Sequence, residues 1–274
     1  MVRFFAPAKI NLILHVLGKY PDGYHQIFSV LQRVSLFDIL YLDLLSEKGI
    51  ELTTTCSELS CGEDNLVFRA AKLFFTRLDR PQGVKIHLVK RIPIAAGLGG
   101  GSSDAATTLL GLNVLFNKPF SLNDLLEMSE RLGSDVPFFL YKKPAIARGR
   151  GEKIFPLSFT LPFWYIIISP PVRVSTAWVY NRVALTKKEF QTKINKPEVI
   201  IKNLYNDLEK RVVEEFSEVG EAKLFLKKAG AKDISMTGSG SSVFAVFYKK
   251  QEALKVKKKL KLPQRWQSFL VKGL

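Results

Sequence analysis

The chain has 274 residues, 47% of them hydrophobic and 24% charged. That length and balance fit one large or two modest globular domains with enough core to need no disulfide or metal staple, and they exclude a disordered chain. Lysine and arginine number 41 against 25 acidic residues, a formal net charge of +16, which suits an anionic partner: nucleic acid, a membrane surface or a phosphorylated small molecule.

The first segment, Arg3 to Val16, reads as extended, and Ser29 to Leu45 has a similar strand-rich pattern. Arg3 and Lys9 interrupt the first apolar stretch, so no secretory signal is expected. Cys56 and Cys61 are spaced C-x4-C with no second Cys/His pair nearby, and His15, His25 and His87 show no ligand spacing. Two thiols in a surface loop are therefore expected rather than a metal centre. Asp64 can cap a helix running through Leu66, Ala70, Leu73, Phe74 and Leu78. Val84, Ile86 and Leu88 alternate with Lys85 and His87, which predicts a half-buried strand. A glycine-rich stretch leads into a helix expected over Asp104 to Phe116. Ser121 and Asp124 form a capping-box pattern for the next helix, through Leu125, Leu126 and Leu132.

Composition shifts within Lys142–Phe155, where Lys, Gly, Arg and Pro cluster, so the expected domains are residues 1–150 and 151–274. The second opens with a strand over Phe163–Ile168 and a Ser169-Pro170-Pro171 stop. Helices over Asp207–Phe216 and Glu221–Ala229 follow, the latter closed by Gly230. A strand over Val243–Tyr248 and a helix–strand pair end the chain. Strands and helices mix irregularly, so the fold class expected is α+β rather than a doubly wound sheet. The longest apolar run lies within Leu161–Ile168, far short of the roughly 20 residues that span a membrane. A cytoplasmic protein with no membrane contact is expected.

Two lysine runs concentrate the charge. One comprises Lys187, Lys188, Lys193, Lys196 and Lys202. The other comprises Lys249, Lys250, Lys255, Lys257, Lys258, Lys259 and Lys261, with Ala253, Leu254, Val256 and Leu260 as its apolar side. The second reads as the solvated face of a helix. No zinc finger, RNP-like aromatic pair or helix-turn-helix accompanies them, so no nucleic-acid partner is expected.

The strongest chemical signal is Pro93-Ile94-Ala95-Ala96-Gly97-Leu98-Gly99-Gly100-Gly101-Ser102-Ser103-Asp104-Ala105-Ala106. A strand leads in and a helix leads out. Glycines let the backbone approach a ligand closely, and a helix start offers free N–H groups at a positive dipole end. No lysine follows these glycines as a Walker A loop requires, Ser102 stands where a dinucleotide fingerprint needs its last glycine, and the H-R-D and D-F-G signatures of protein kinases are absent. A phosphate-binding loop of another kind remains. Three further stretches carry polar groups in apolar or glycine-rich settings: Pro7-Ala8-Lys9-Ile10-Asn11-Leu12, Gly133-Ser134-Asp135-Val136-Pro137, and Met236-Thr237-Gly238-Ser239-Gly240-Ser241-Ser242. Buried lysine is costly without an anionic partner. The last stretch is another loop able to donate N–H and O–H groups to anions.

In this order P-A-K-I-N, P-x-x-x-G-L-G-G-G-S-S-D-A-A and T-G-S-G-S-S resemble the three motifs of the GHMP kinase superfamily, over nearly the whole chain. The resemblance implies an N-terminal, ribosomal-protein-like ATP domain and a C-terminal α/β sandwich domain, with the active site in a cleft between them. It puts the ATP phosphates on Pro93–Ser103, with magnesium accompanying the nucleotide. Glu127 and Glu130 do not match the spacing of the glutamate that some relatives supply to the ion. The metal ligand is therefore left open, with Ser103 a candidate.

The stretch Gly18-Lys19-Tyr20-Pro21-Asp22-Gly23-Tyr24-His25 beside P-A-K-I-N-L is similar to the superfamily branch that phosphorylates a cytidine-diphosphate-linked methylerythritol on the non-mevalonate route to isoprenoids. That likeness implies that Tyr24 stacks on the cytosine and His25 bonds its edge. Stacking is worth about 1–3 kcal/mol per base. A second aromatic partner is expected at Tyr180, with Trp178 the alternative. Asn11, Thr176, Gly238 and Ser239 are further acceptor-side candidates. Lys9 and Asp135 match the superfamily's catalytic motif positions. Asp135 would take the proton of the C2 hydroxyl, and Lys9 would keep that carboxylate ionised and stabilise developing negative charge. The rival readings are a GHMP kinase for a sugar, homoserine or mevalonate-type alcohol, and a basic nucleic-acid-binding protein.

Overall fold

A computed structural model gives the architecture, and it describes residues 1–79, 82–183, 185 and 193–274. Lys187 and Lys188 of the first lysine run lie outside the described residues. In chain order the elements are β1 (Val2–Lys19), β2 (His25–Leu45), β3 (Gly49–Thr54), α1 (Leu66–Leu78), β4 (Gly83–Val89), α2 (Gly100–Leu115), α3 (Leu122–Glu130), α4 (Val136–Leu140), β5 (Ala145–Gly149) and β6 (Lys153–Pro156). They continue with β7 (Trp164–Ser169), α5 (Thr176–Tyr180), α6 (Pro197–Lys202), β8 (Tyr205–Asn206), α7 (Glu209–Glu215), α8 (Ser217–Lys228), β9 (Ile234–Met236), β10 (Val243–Phe247), α9 (Lys250–Lys259) and β11 (Gln267–Lys272). The content is mixed α+β. Two compact units result, and neither is one continuous stretch. The first takes residues 1–8, 36–92 and 99–142, and the second 9–35, 93–98 and 143–274.

In the first unit β4 pairs with the later part of β2 in antiparallel register, Ile39 opposite Val89, and with β3 in parallel register. Val84, Ile86 and Leu88 are buried while Lys85 is exposed, as the alternation predicts. Helices α1 and α2 pack together, and α2 also packs on α4. Helix α2 crosses close to the sheet at Gly111, where a Cβ would come within 3.2 Å of Leu42 and Phe4. The cap of α1 is Asn65, whose side chain accepts from the Val67 amide, not the expected Asp64. Adjacent Asp and Asn are equally competent caps, and the Asn side chain is additionally anchored through a bond to Ser60 O. The Ser121–Asp124 capping box forms as expected.

In the second unit a four-stranded antiparallel sheet runs in the order β11-β7-β10-β9. Its core joins Ile166 and Ile168 to Val212, Val219, Ala222 and Leu226 of the helices. The early part of β2 pairs with β5, and residues 13–14 of β1 pair with β8. Helix α8 starts four residues before the expected Glu221, and Gly230 follows its cap at φ 103. On α9, Ala253 and Val256 are buried but Leu254 is exposed. Lys257 is not a solvated lysine, because its Nζ donates to Ser268 O at 2.8 Å and burial lowers its pKa. Cys56 and Cys61 are free thiols at a partly exposed and an exposed position.

Candidate active site

In the first unit, α2 begins at Gly100, four residues ahead of the expected Asp104, so Ser102 and Ser103 stand in its first turn. Glycine propensity argued for the later start, and tertiary packing overrides it. Gly99 is the N-cap, with φ 68, and no side chain caps the first turn. A sixteen-residue helix therefore starts without an N-cap side chain over its leading amides, an arrangement suited to binding anions. Gly101 is exposed, and a Cβ there would meet nothing closer than Leu66 at 3.6 Å. Packing does not demand glycine at that position.

Beneath this turn lies a buried ionic cluster. The Asp38 carboxylate accepts from the Arg91 amide at 2.5 Å, the Ile92 amide at 2.9 Å and the Lys90 ammonium. The same ammonium donates to Asp104 at 2.8 Å. The side chains of Lys90, Asp38 and Asp104 are 7%, 0% and 2% exposed. Burial, reinforced by Asp38 and opposed by Lys90, pushes the Asp104 carboxyl up to about 8. Burial works against the Lys90 charge, but the two carboxylates outweigh it and raise its pKa. A Cβ at Gly100 would lie 3.2 Å from the Lys90 Nζ, so close passage of this lysine is one reason for that glycine.

Asp135, also in this unit, is half-buried at the N-cap of α4, with no side-chain cap bond. It precedes a helix rather than ending one. Pro137 in the first turn sets that start.

The second unit gathers the other motif residues. Lys9 is buried on β1, its Nζ donates to Asn11 Oδ1 at 2.6 Å, and its amide donates to Leu98 O at 2.9 Å. Residues two apart on a strand share a face, which brings this pair together. The Asn11 amide nitrogen Nδ2 donates to Ser29 Oγ at 2.8 Å, and Ser29 in turn donates to Ile13 O. The backbone amide of Asn11 donates to Thr237 Oγ1 at 2.9 Å, and that hydroxyl donates to Gly97 O at 3.2 Å. Gly97 has φ 75, and a Cβ there would fall 2.1 Å from Thr237 O. Only glycine lets these two loops meet. Asn206 braces the later loop by donating to Met236 O and Gly238 O, both at 2.9 Å. Gly238 faces Asn11, and the Thr176 and Ser239 hydroxyls lie 3.0 Å apart.

The turn at Tyr20–Tyr24 is built differently. Tyr24 is exposed, and the Arg150 guanidinium lies 4.7 Å from its ring centroid and 5.5 Å from that of Tyr20, while pairing with Asp22. The His25 ring lies 5.2 Å from that of Tyr180, and burial with the nearby Lys19 charge lowers its pKa. Trp178 packs instead edge-on against Phe216, with Arg182 over its ring.

This arrangement offers an uncapped helix start, a buried lysine and an exposed aromatic group. The GHMP kinases N terminal domain matches residues 65–143 and the GHMP kinases C terminal domain matches residues 188–263. A 4-diphosphocytidyl-2-C-methyl-D-erythritol kinase from Syntrophotalea carbinolica is 42% identical, covering 99% of this chain and 98% of its own. The chain belongs to the GHMP kinases. A second kinase of the same name, from Nitrosospira multiformis, is also 42% identical, over 98% of this chain and 90% of its own. A crystal structure of 4-(cytidine 5'-diphospho)-2C-methyl-D-erythritol kinase superposes with a TM-score of 0.81 at 33% identity, covering both chains completely. As a GHMP kinase the chain is an ATP-dependent phosphotransferase acting on a small molecule. Sequence reading passed over Ser29, Asn206, Asp38, Lys90 and Arg150, and it treated Thr237 only as part of a motif. The short polar residues gave no periodic signal, and their partners are remote in the chain.

Proposed function

We propose that this GHMP kinase transfers the γ-phosphoryl group of ATP to the 2-hydroxyl of 4-diphosphocytidyl-2-C-methyl-D-erythritol, a step on the non-mevalonate route to isoprenoid precursors, carried out in the cytoplasm. The reading rests on one observation above all. The His25 ring lies against that of Tyr180, with the exposed Tyr24 next to His25 in the chain, in the second unit of a chain 42% identical over nearly its full length to kinases named for that substrate. Tyr24 offers a face for the cytosine and His25 a hydrogen bond for its edge, while the ring of Tyr180 beside His25 favours it over Trp178 as the second aromatic wall. Asn11, Thr176, Gly238 and Ser239 supply amide and hydroxyl groups for the polyol and diphosphate.

Pro93–Ser103 would cradle the triphosphate, and Asp135 and Lys9 would act together on the acceptor. The acceptor oxygen attacks the γ-phosphorus, the bond to the β–γ bridging oxygen breaks, and the hydroxyl proton passes to the Asp135 carboxylate. Lys9 stabilises the negative charge that develops. Asn11 holds the lysine in place. Magnesium would supply charge neutralisation on the phosphates. Among the described residues no group of three acidic, histidine or cysteine side chains is placed to hold a metal ion. Ser103 Oγ is buried in the first turn of α2 without a hydrogen-bond partner among the described residues. That donor set fits an ion that arrives on the nucleotide and takes a single hydroxyl from the chain.

The family models match residues 65–143 and 188–263, whereas the compact units place residues 9–35 and 93–98 with 143–274 rather than within a continuous 1–150. Among the described residues no helix is long and apolar enough to cross a membrane. An acceptor panel tests the proposal. Purified protein with ATP should phosphorylate the cytidine-diphosphate compound and leave mevalonate, galactose and homoserine untouched, as read by phosphorus NMR of the products. Preferred turnover of any of the other three would overturn it.

A further inference from the structure

We infer that Lys90, Asp38 and Asp104 are positioning residues: a buried ionic clasp that joins the two ends of the phosphate loop and fixes the first turn of α2 for ATP. The inference rests on the proposed assignment of Pro93–Ser103 to the triphosphate and deepens it.

Both ends of the loop lie in the first unit. The chain leaves that unit after Ile92 and rejoins it at Gly99. The entry is held by Asp38, which takes the amides of Arg91 and Ile92 on one carboxylate oxygen. The exit is held by Asp104, in the second turn of α2. Lys90 is the bridge, donating to both carboxylates, and its own backbone amide is fixed on Thr55 Oγ1 at 3.0 Å. So the strand β2, the entry at residues 90–92 and the helix start are tied through a single ammonium.

Three buried ionisable side chains are an expensive way to hold a turn. Apolar packing would hold it more cheaply but less specifically, because ionic hydrogen bonds fix angles as well as distances. An anion site made of backbone amides needs that precision, since the amides must already point at the charge when the ligand arrives. Gly100 completes the argument. Its missing side chain lets the Lys90 ammonium pass within 3.2 Å of where a Cβ would stand, so the glycine-rich sequence serves the clasp as well as the ligand. Among the described residues the other Asp104 oxygen, Oδ1, has no hydrogen-bond partner, so the carboxyl is held from the side that faces Lys90 and Asp38.

Asp104→Ala, Asp104→Asn and Lys90→Met test the clasp, read by calorimetric binding of a non-hydrolysable ATP analogue and by the acceptor KM. Asp104→Ala cuts only the helix arm and leaves the Lys90–Asp38 pair intact. Alanine is the best helix former, so lost helix propensity cannot explain a defect. It should weaken analogue binding about tenfold while the acceptor KM stays within about twofold. Asp104→Asn, which keeps the shape and an acceptor oxygen, should recover most of that loss. Lys90→Met should weaken binding at least as much. Unchanged analogue affinity in a folded Asp104→Ala protein overturns the inference. An equal loss towards analogue and acceptor also overturns it, because that marks general loosening. If Lys90→Met fails to fold, the Asp104 pair still decides. Should the wild-type chain itself not bind the analogue, the phosphate-loop assignment fails, which is a separate result from failure of the clasp.

Discussion

The segment from Lys90 to Asp104 and the turn from Tyr20 to His25 are held by opposite means. The first is fixed by buried, charge-assisted hydrogen bonds, with its two carboxyl groups and one ammonium almost wholly withdrawn from water. The second is held by an arginine laid over two tyrosine rings and paired with an aspartate, at side-chain exposures of 42% and 45%. Exposed ion pairs contribute about 0–1 kcal/mol, whereas breaking a buried one costs about 3–5 kcal/mol. A triphosphate has one shape of charge to meet, which rewards a rigid cradle. A base on a flexible diphosphate linker rewards a face that can adjust. The rigid region is thus suited to rate and the adjustable one to recognition.

The largest expected effect belongs to a residue in neither region, and it tests whether either matters to chemistry. Asp135→Asn should lower kcat at least about 100-fold with little change in ATP affinity, as steady-state kinetics and analogue binding would show. Near-normal turnover would remove the base from the mechanism and leave both regions as binding surfaces only.

Next in size is the adjustable region. Tyr24→Ala should raise the acceptor KM by about 10- to 100-fold, the equivalent of one lost base stack. The KM for ATP should stay where it was. A parallel rise in both would erase the division of labour between the regions.

A smaller effect comes from Gly101→Ala, where binding and stability should move in opposite directions. No protein atom within 3.6 Å opposes a Cβ there, and the position lies in a helix. Alanine should therefore raise stability by up to about 1 kcal/mol, a rise in Tm of about 2–4 °C by calorimetry. The same Cβ would stand over the leading amides and raise the KM for ATP about tenfold. Gly97→Ala is the contrast, because its Cβ would strike Thr237 O and destabilise the fold itself. Loss of stability in Gly101→Ala would show that this glycine serves packing after all.

The two regions also differ in how far the sequence betrayed them. The glycine run announced an anion site through composition alone, and Lys9 with Asn11 on one strand face follows from a period of two. Family likeness, not local pattern, pointed to Tyr24 and His25, because an exposed Tyr-His pair after a glycine turn has many ordinary explanations. Val136-Pro137 carries the signal of a helix start, and Asp135 stands at the N-cap of that helix. What stayed hidden was long-range polar pairing. Asp38 meets Lys90 across 52 positions, and Asn11 meets Thr237 across 226. A single polar side chain carries no periodicity that names its partner, so such pairs appear only once the strands are registered. Most strands and helices were legible for the converse reason, since burial repeats along them at a fixed period.

Arg150 is where the adjustable region can be broken most gently. Its guanidinium covers part of the Tyr20 and Tyr24 rings and is paired with Asp22, while its backbone amide donates to Glu152 at 2.6 Å. Removing the side chain loses an exposed cation–π contact of about 0.5–1 kcal/mol and an exposed ion pair of similar or lesser worth. Arg150→Ala should accordingly lower Tm by about 2–4 °C and raise the acceptor KM about three- to fivefold, with kcat and the KM for ATP unchanged. Arg150→Lys should not restore the lost affinity, because an ammonium cannot lie flat against two rings while forking to a carboxylate. Full recovery with lysine would mean that charge alone organises the turn. Tyr24 would then be free to rotate, and the contrast between a clasped loop and a stacked one would reduce to a difference in exposure.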